Sequence, residues 1–149
     1  MRRDKTMFAK IIFILTFAFT FILTGCSFTT QNRSVSPHFN GVLKFADNSI
    51  NNAKIMLSIV PGDKLCLKAK KFSSTNEQGQ FSLKAIIEEY TYTPFVNYEL
   101  DEWTVCTNYN EQIYTLYSNN RYGSGNVASS VYLECDLARS VNKPCIASH

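Results

Sequence analysis

Two regimes of hydrophobic and polar residues divide this chain. Residues 11–23 are almost wholly apolar, relieved only by Thr16, Ala18 and Thr20. From Phe39 onward, apolar and polar residues alternate in short runs broken by turn chemistry. Strict alternation places one face of a strand on a core and the other in water. The runs predict strands over 39–45, 53–60, 64–72, 81–87, 90–98, 102–109, 112–117 and 129–137. Ala53, Ile55, Leu57 and Ile59 share one face of the second run. In the third, Leu65, Leu67 and Ala69 form the expected core face, with Lys64, Cys66, Lys68 and Lys70 opposite. Phe81, Leu83, Ala85 and Ile87 carry the period onward. Residues 46–49, Pro61-Gly62-Asp63 and residues 75–79 are turn chemistry. Residues 119–126, with Gly123 and Gly125, are expected to be the most flexible loop. No segment shows a convincing amphipathic-helix period, and there is no internal repeat. Seven or eight short, evenly spaced strands predict a single all-β sandwich of the immunoglobulin-like kind. Ser27 to Pro37 is polar and is expected to be an unpacked tether.

The apolar run at the start is preceded by Arg2, Arg3, Lys5 and Lys10. It has the length of a secretory h-region and falls short of the roughly 20 apolar residues of a membrane-crossing helix. It ends in Leu23-Thr24-Gly25-Cys26, which resembles the lipobox of bacterial lipoproteins. The resemblance implies that the Cys26 thiol receives a diacylglyceryl group, that the leader is cut just before it, and that the new amine is acylated. Each buried CH₂ contributes about 0.8 kcal/mol, so two or three acyl chains anchor a domain where one holds it only marginally. Ser27 follows the cysteine, where Asp would signal retention in an inner membrane. The resemblance therefore implies the periplasmic face of an outer membrane. An ordinary secretory signal with an incidental Cys26 is the alternative. The chain then divides into a leader (1–25), a lipidated tether (26–37) and a β domain (38–149).

Cleavage changes the charge. The mature part has 124 residues, with 11 Lys and Arg against 11 Asp and Glu. The sequence pI of about 8.6 belongs to the leader, so it is no footprint of nucleic-acid binding, which needs a basic face on the folded domain. The length suits one domain. Beyond Cys26 stand Cys66, Cys106, Cys135 and Cys145. An even number in an oxidising compartment reads as two disulfides. Of the three pairings, Cys135–Cys145 with Cys66–Cys106 is favoured, because the former closes a short loop holding Asn142 and Pro144 and pins the tail. Crossed pairings stay open. A zinc site is the rival, but there is no Cys-x-x-Cys pair and the histidines are only His38 and His149. No metal or cofactor is expected.

Three stretches carry a further resemblance: Gly41-Val42-Leu43, then Ile50-Asn51-Asn52-Ala53-Lys54-Ile55, then Ser74-Thr75-Asn76-Glu77-Gln78-Gly79-Gln80-Phe81. Together they resemble the carboxypeptidase-regulatory, transthyretin-like β-sandwich pattern. There a Gly opens the first strand, a small residue starts the second, and a Thr-to-Gly-x-Phe turn leads into a later one. The likeness covers about 50 residues, 39–87. Asn48, Ser49, Asn51 and Asn52 stand where that pattern has Gly or Pro. It implies a fold and says almost nothing of function. The tail, Leu133-Glu134-Cys135-Asp136-Leu137 followed by Cys145, is similar to small bacterial lipoproteins with this domain. That likeness supports the Cys135–Cys145 pairing and brings no activity.

Candidate chemistry is thin. A catalytic site needs a nucleophile or metal, a base and an orienting group. His38 sits at the tether junction and His149 at the last position. Glu88 and Glu89, being adjacent, face opposite sides of a strand, and Glu99, Asp101 and Glu102 read as a solvated strand end. Lys64, Lys68, Lys70 and Lys71 form a basic strip suited to anionic lipid or an acidic partner, or simply a solvated face that the acids at 99–102 balance. The tyrosines are the better lead, since all eight lie between Tyr90 and Tyr132. Trp103, Tyr109, Tyr114, Tyr117 and Tyr122 are the candidate contact surface, framing the 119–126 loop. The reading is a non-catalytic binding or structural module of the envelope, held to a membrane through Cys26, with a protein partner and no nucleic acid. The alternatives are an immunity lipoprotein neutralising a periplasm-acting toxin, and a small hydrolase working through an acid such as Glu102.

Overall fold

The computed structural model describes residues 30–91, 100–122, 127, 129–139 and 144–148. The expected leader and Cys26 lie outside these residues, as do Glu99, residues 123–126 and His149. The described chain is all-β. Its strands are β1 (Thr30–Ser34), β2 (His38–Phe45), β3 (Asn48–Ser49), β4 (Lys54–Ser58), β5 (Lys71–Ser74) and β6 (Gln80–Leu83), then β7 (Ile87–Thr91), β8 (Leu100–Tyr109), β9 (Gln112–Tyr122), β10 (Ser130–Asp136) and β11 (Cys145–Ser148). These exceed the seven or eight that alternation predicts. The additions β1, β3 and β11 are short and polar or half-exposed, so they leave little periodic signal.

One sheet runs β11-β10-β2-β3, with β6 also paired to β2; another runs β5-β4-β8-β9; β1 and β7 form a two-stranded third. Period two sends Phe39 and Leu43 of β2, Val131 and Leu133 of β10, and Phe81 and Leu83 of β6 into the core. Ile55 and Leu57 of β4 with Trp103 and Val105 of β8 meet them from the four-stranded sheet in one cluster. Two sheets sharing one apolar core are consistent with a β-sandwich. Strands β2 and β10 pair in parallel, with Gly41 the register partner of Leu133. A Cβ there would lie 2.3 Å from the Leu133 carbonyl oxygen and 2.8 Å from the Phe81 ring. Gly79 turns the chain into β6 at φ 74°, and Thr75, buried beside it, accepts the Ala53 N–H on Oγ1 at 2.8 Å. The hairpins at 45–48 and 109–112 each turn on two non-glycine residues at positive φ, Ala46 and Asp47 in one, Asn110 and Glu111 in the other.

Both favoured disulfides are present, Cys66–Cys106 and Cys135–Cys145. The second joins β10 to β11, where the two cysteines are register partners.

Four expectations are corrected. The strand expected over 64–72 is a series of turns until β5 begins at Lys71, and three of its residues face the other way, while Lys64, Lys68 and Lys70 are exposed and Ala69 packs inward as expected. Leu65 and Leu67 are exposed and Cys66 is buried. The cause is local: Cys66 takes φ 51°, and the Asp63 carboxylate accepts the backbone N–H of Leu67 at 2.9 Å and of Lys68 at 2.8 Å. Burial alone would raise the Asp63 carboxyl, but the Ser58 hydroxyl, these two amides and the Lys68 charge outweigh it and hold the group below its ordinary value. The part of the expected tether from Thr30 on is packed. From Thr30 the chain pairs with β7, and Val35 and Ser36 are buried, because Val35 donates its N–H to Ile86 O and Ser36 Oγ accepts the Ile86 N–H. The period over 81–87 breaks after Leu83: Ile86 is buried and Ile87 exposed. Finally, the expected loop at 119–126 begins as strand, since β9 continues to Tyr122 paired with Leu100.

Candidate functional site

Strand β8 alternates so that Trp103 and Val105 face the core, and β9 runs antiparallel beside it with Asn119 opposite Trp103 and Tyr117 opposite Val105. Toward the start of β8 the hairpin meets Pro37, Val127 and the first residues of β10. A recess of about 510 Å³ opens there. Trp103, Tyr117, Val127 and Val131 give it apolar walls, and Asn119, Asn120, Arg121 and Ser129 give it a polar rim.

One residue that lines this recess carries an unpaired polar group. Trp103 is 5% exposed, and its indole Nε1 is buried with no hydrogen-bond partner among the described residues. Buried indole N–H groups ordinarily find an acceptor. Around it the groups are ordered by one another. Asn119 Nδ2 donates to Tyr117 Oη at 3.0 Å, and Asn119 Oδ1 accepts the Asn120 N–H at 2.8 Å. The Tyr117 ring packs on Phe39 with centroids 5.9 Å apart. A second recess of similar volume, between β2, β5 and β6, is lined by Asn76, Gln80 and serines. Its amides already bond each other, Asn76 Nδ2 to Gln80 Oε1 at 3.0 Å, so nothing there calls for a ligand.

The five aromatic residues expected to form one contact surface do not do so. Trp103 and Tyr114 are core residues, drawn inward because the apolar face of β8 and β9 packs on the other sheet. Tyr109 is half-buried at the far hairpin end, its ring 5.7 Å from that of Phe45. Tyr117 alone joins Trp103 at the recess. Tyr122 ends β9, and its side chain lies outside the described residues.

The acids are otherwise occupied. Asp101 is buried and accepts from Arg33 Nη2 at 2.9 Å. Glu88 pairs with Lys70, so the basic strip is balanced in part by β7. His38 Nε2 lies 3.3 Å from both Asn40 Oδ1 and Ser82 Oγ. All four cysteines beyond Cys26 are in disulfides. No group of three His, Cys, Asp or Glu side chains able to hold a metal occurs among the described residues. Sequence reasoning missed Asn119, Asn120 and Arg121 as site residues. The register of β9 against β8 is what brings them to Trp103, and no local pattern reports a register.

Comparison with protein-family models, with curated proteins and with solved structures finds no match for this chain.

Proposed function

We propose that this chain is a lipid-anchored envelope protein whose β domain holds a partner and transforms no substrate. The anchor reading rests on Leu23-Thr24-Gly25-Cys26 after its charged, apolar leader, and Ser27 favours the periplasmic face of an outer membrane. At the finer level we read the fold as transthyretin-like: Gly41 without room for a side chain, Gly79 at positive φ, and Thr75 bonded to Ala53 are the features that support it.

The observation that carries the binding reading is the Trp103 N–H. A buried donor left unmade costs about 1–3 kcal/mol, and an acceptor brought by a partner recovers it. The recess is rimmed by Asn119, Asn120 and Arg121, which offer amide and guanidinium donors, so the occupant is a projecting peptide segment or chain end that offers a carbonyl or carboxylate oxygen. Turnover is disfavoured because the lining described contains no carboxylate, imidazole or thiol to serve as base or nucleophile.

Two measurements test this. Labelled palmitate should enter the native chain and fail to enter Cys26→Ser; equal labelling sinks the anchor. A photo-crosslinking residue at position 120 should trap one envelope protein, and Trp103→Phe should weaken that capture about tenfold, the value of one buried hydrogen bond. Undiminished capture by Trp103→Phe removes the indole from the site.

A further inference from the structure

We infer that the loop between β4 and β5, residues 59–70, together with Phe72, is a second membrane contact that lies against anionic phospholipid. The proposal rests on the lipid-anchor reading of Cys26 and goes beyond it.

This loop exposes apolar side chains by construction. Leu65 is 49% exposed, Leu67 75% and Phe72 56%. They line one recess with Met56, Ile113 and the Cys66 side chain. The loop beneath them is pinned to the outer face of the four-stranded sheet. Cys66 is bonded to Cys106, Thr115 Oγ1 donates to Lys64 O at 2.6 Å, and Asp63 holds the amides of Leu67 and Lys68. Leu65 and Leu67 flank the inward Cys66, so the bond that buries the sulfur holds the leucines outward.

Charge selects the occupant. Lys64 and Lys68 alternate with the leucines and are exposed, and Lys54 Nζ stands 4.5 Å from the Phe72 ring centre. Lysine is depleted at protein–protein interfaces. Beside protruding apolar groups it suits an anionic bilayer surface, where the apolar tips enter the headgroup boundary and the ammonium groups meet phosphate. The Asp63 carboxylate is turned into the loop by its amide bonds and does not oppose this. Position agrees with charge. Pro61, at the head of the loop, shares a recess with Arg33 of β1 and Glu88 of β7. Six residues, 27–32, separate Cys26 from Arg33, a span of at most about 25 Å when fully extended. The strand nearest the anchor therefore adjoins this loop.

The test places tryptophan at the most exposed of these positions. Leu67→Trp, in the full native chain, is reconstituted into phosphatidylethanolamine–phosphatidylglycerol vesicles with brominated acyl chains. Trp103 is buried and supplies an unquenched background. The added emission should shift to the blue and be quenched, and both effects should be lost in phosphatidylcholine vesicles and when Lys64→Glu and Lys68→Glu are added. Protein that floats with the vesicles while the emission of the introduced indole stays unquenched overturns the contact and leaves the anchor standing. Protein that does not float, and takes up no palmitate, overturns the anchor. A dimer in detergent that Leu67→Glu dissolves, without quenching in vesicles, assigns the patch to a second copy of the chain and overturns the lipid contact.

Discussion

Removing the Cys66–Cys106 bond by paired Cys→Ala substitution is expected to destabilise the domain more than removing Cys135–Cys145 in the same way. The first bond joins residues 40 apart and the second residues 10 apart. A cross-link acts chiefly by narrowing the unfolded ensemble, and the effect grows with the logarithm of loop length: about 3.9 kcal/mol for the first and about 2.7 kcal/mol for the second. Packing points the same way. Cys66 and Cys106 are both buried and form a small cluster with Met56, set apart from the main core, so their bond is also the centre of what holds the 59–70 loop to the sheet. Cys145 is only half-buried at a sheet edge. A domain's whole margin is about 5–15 kcal/mol, so either loss is large. The reporter is built in, because Trp103 is the only tryptophan and sits in the core. Urea unfolding followed by its fluorescence should give midpoints in the order native, Cys135/Cys145 variant, Cys66/Cys106 variant. Limited proteolysis should cut within 59–70 in the last of these alone. If the Cys135/Cys145 variant proves equally or less stable than the Cys66/Cys106 variant, loop length and the buried cluster do not govern what these bonds contribute.

Gly41→Ala should cost about 1–3 kcal/mol or prevent folding, since its Cβ has only a backbone carbonyl and the Phe81 ring to move; thermal unfolding checks this. Leu57→Ala, at a fully buried position, should cost about 2–5 kcal/mol in the same assay. The Asp63 carboxyl is held below its ordinary value in the fold. Its stabilising effect is therefore fully present above the unfolded carboxylate value, about 3.9, and is lost as pH falls through the lower folded value. Amide exchange at Leu67 and Lys68 should accelerate in that acid window in the native chain, and should already be fast at neutral pH in Asp63→Ala. A chain begun at His38 loses the Arg33 partner of buried Asp101 and the buried Val35. It should be less stable by about 3–5 kcal/mol than one begun at Thr30; equal urea midpoints would restore the tether reading.

The strands with a clean two-residue period were legible, and for one reason. Phe39 and Leu43, Ile55 and Leu57, and Phe81 and Leu83 each bury one face of a sheet whose other face is wet, and alternation is the direct imprint of that geometry. The 64–72 run shows where the imprint misleads. Leu65 and Leu67 alternate with lysines as a strand would, yet a disulfide and a carboxylate binding two amides decide which side faces inward. Those are long-range and turn-level interactions, and neither writes a period. Strand β1 was illegible for the opposite reason. Thr-Gln-Asn-Arg-Ser has no apolar face, but backbone pairing to β7 needs none, and buried Arg33 is received by Asp101, 68 residues away. At the site, Trp103 and Tyr117 could be named from composition, whereas the recess depends on the β8–β9 register and on Pro37 and Val127 arriving from elsewhere.

These corrections bear on one another. If residues 26–37 were all tether, the membrane attachment and the recess would be independent devices joined by slack chain. Instead Ser34 O accepts the Val127 N–H at 2.9 Å, and Val127 and Pro37 both line the recess that Trp103 also lines. The segment 34–37 thus contributes to one wall of the recess. Arg33 ties the same segment to Asp101, which stands opposite Arg121 on the recess rim in the β8–β9 register. Only three residues, 27–29, separate Cys26 from β1. On the proposed lipid-anchor reading, a partner seated on Trp103 would be held close to the bilayer, and inserting a flexible Gly-Ser spacer after Ser27 should lower crosslinking yield from position 120 while leaving the urea midpoint unchanged. An unchanged yield would show that attachment and binding are independent.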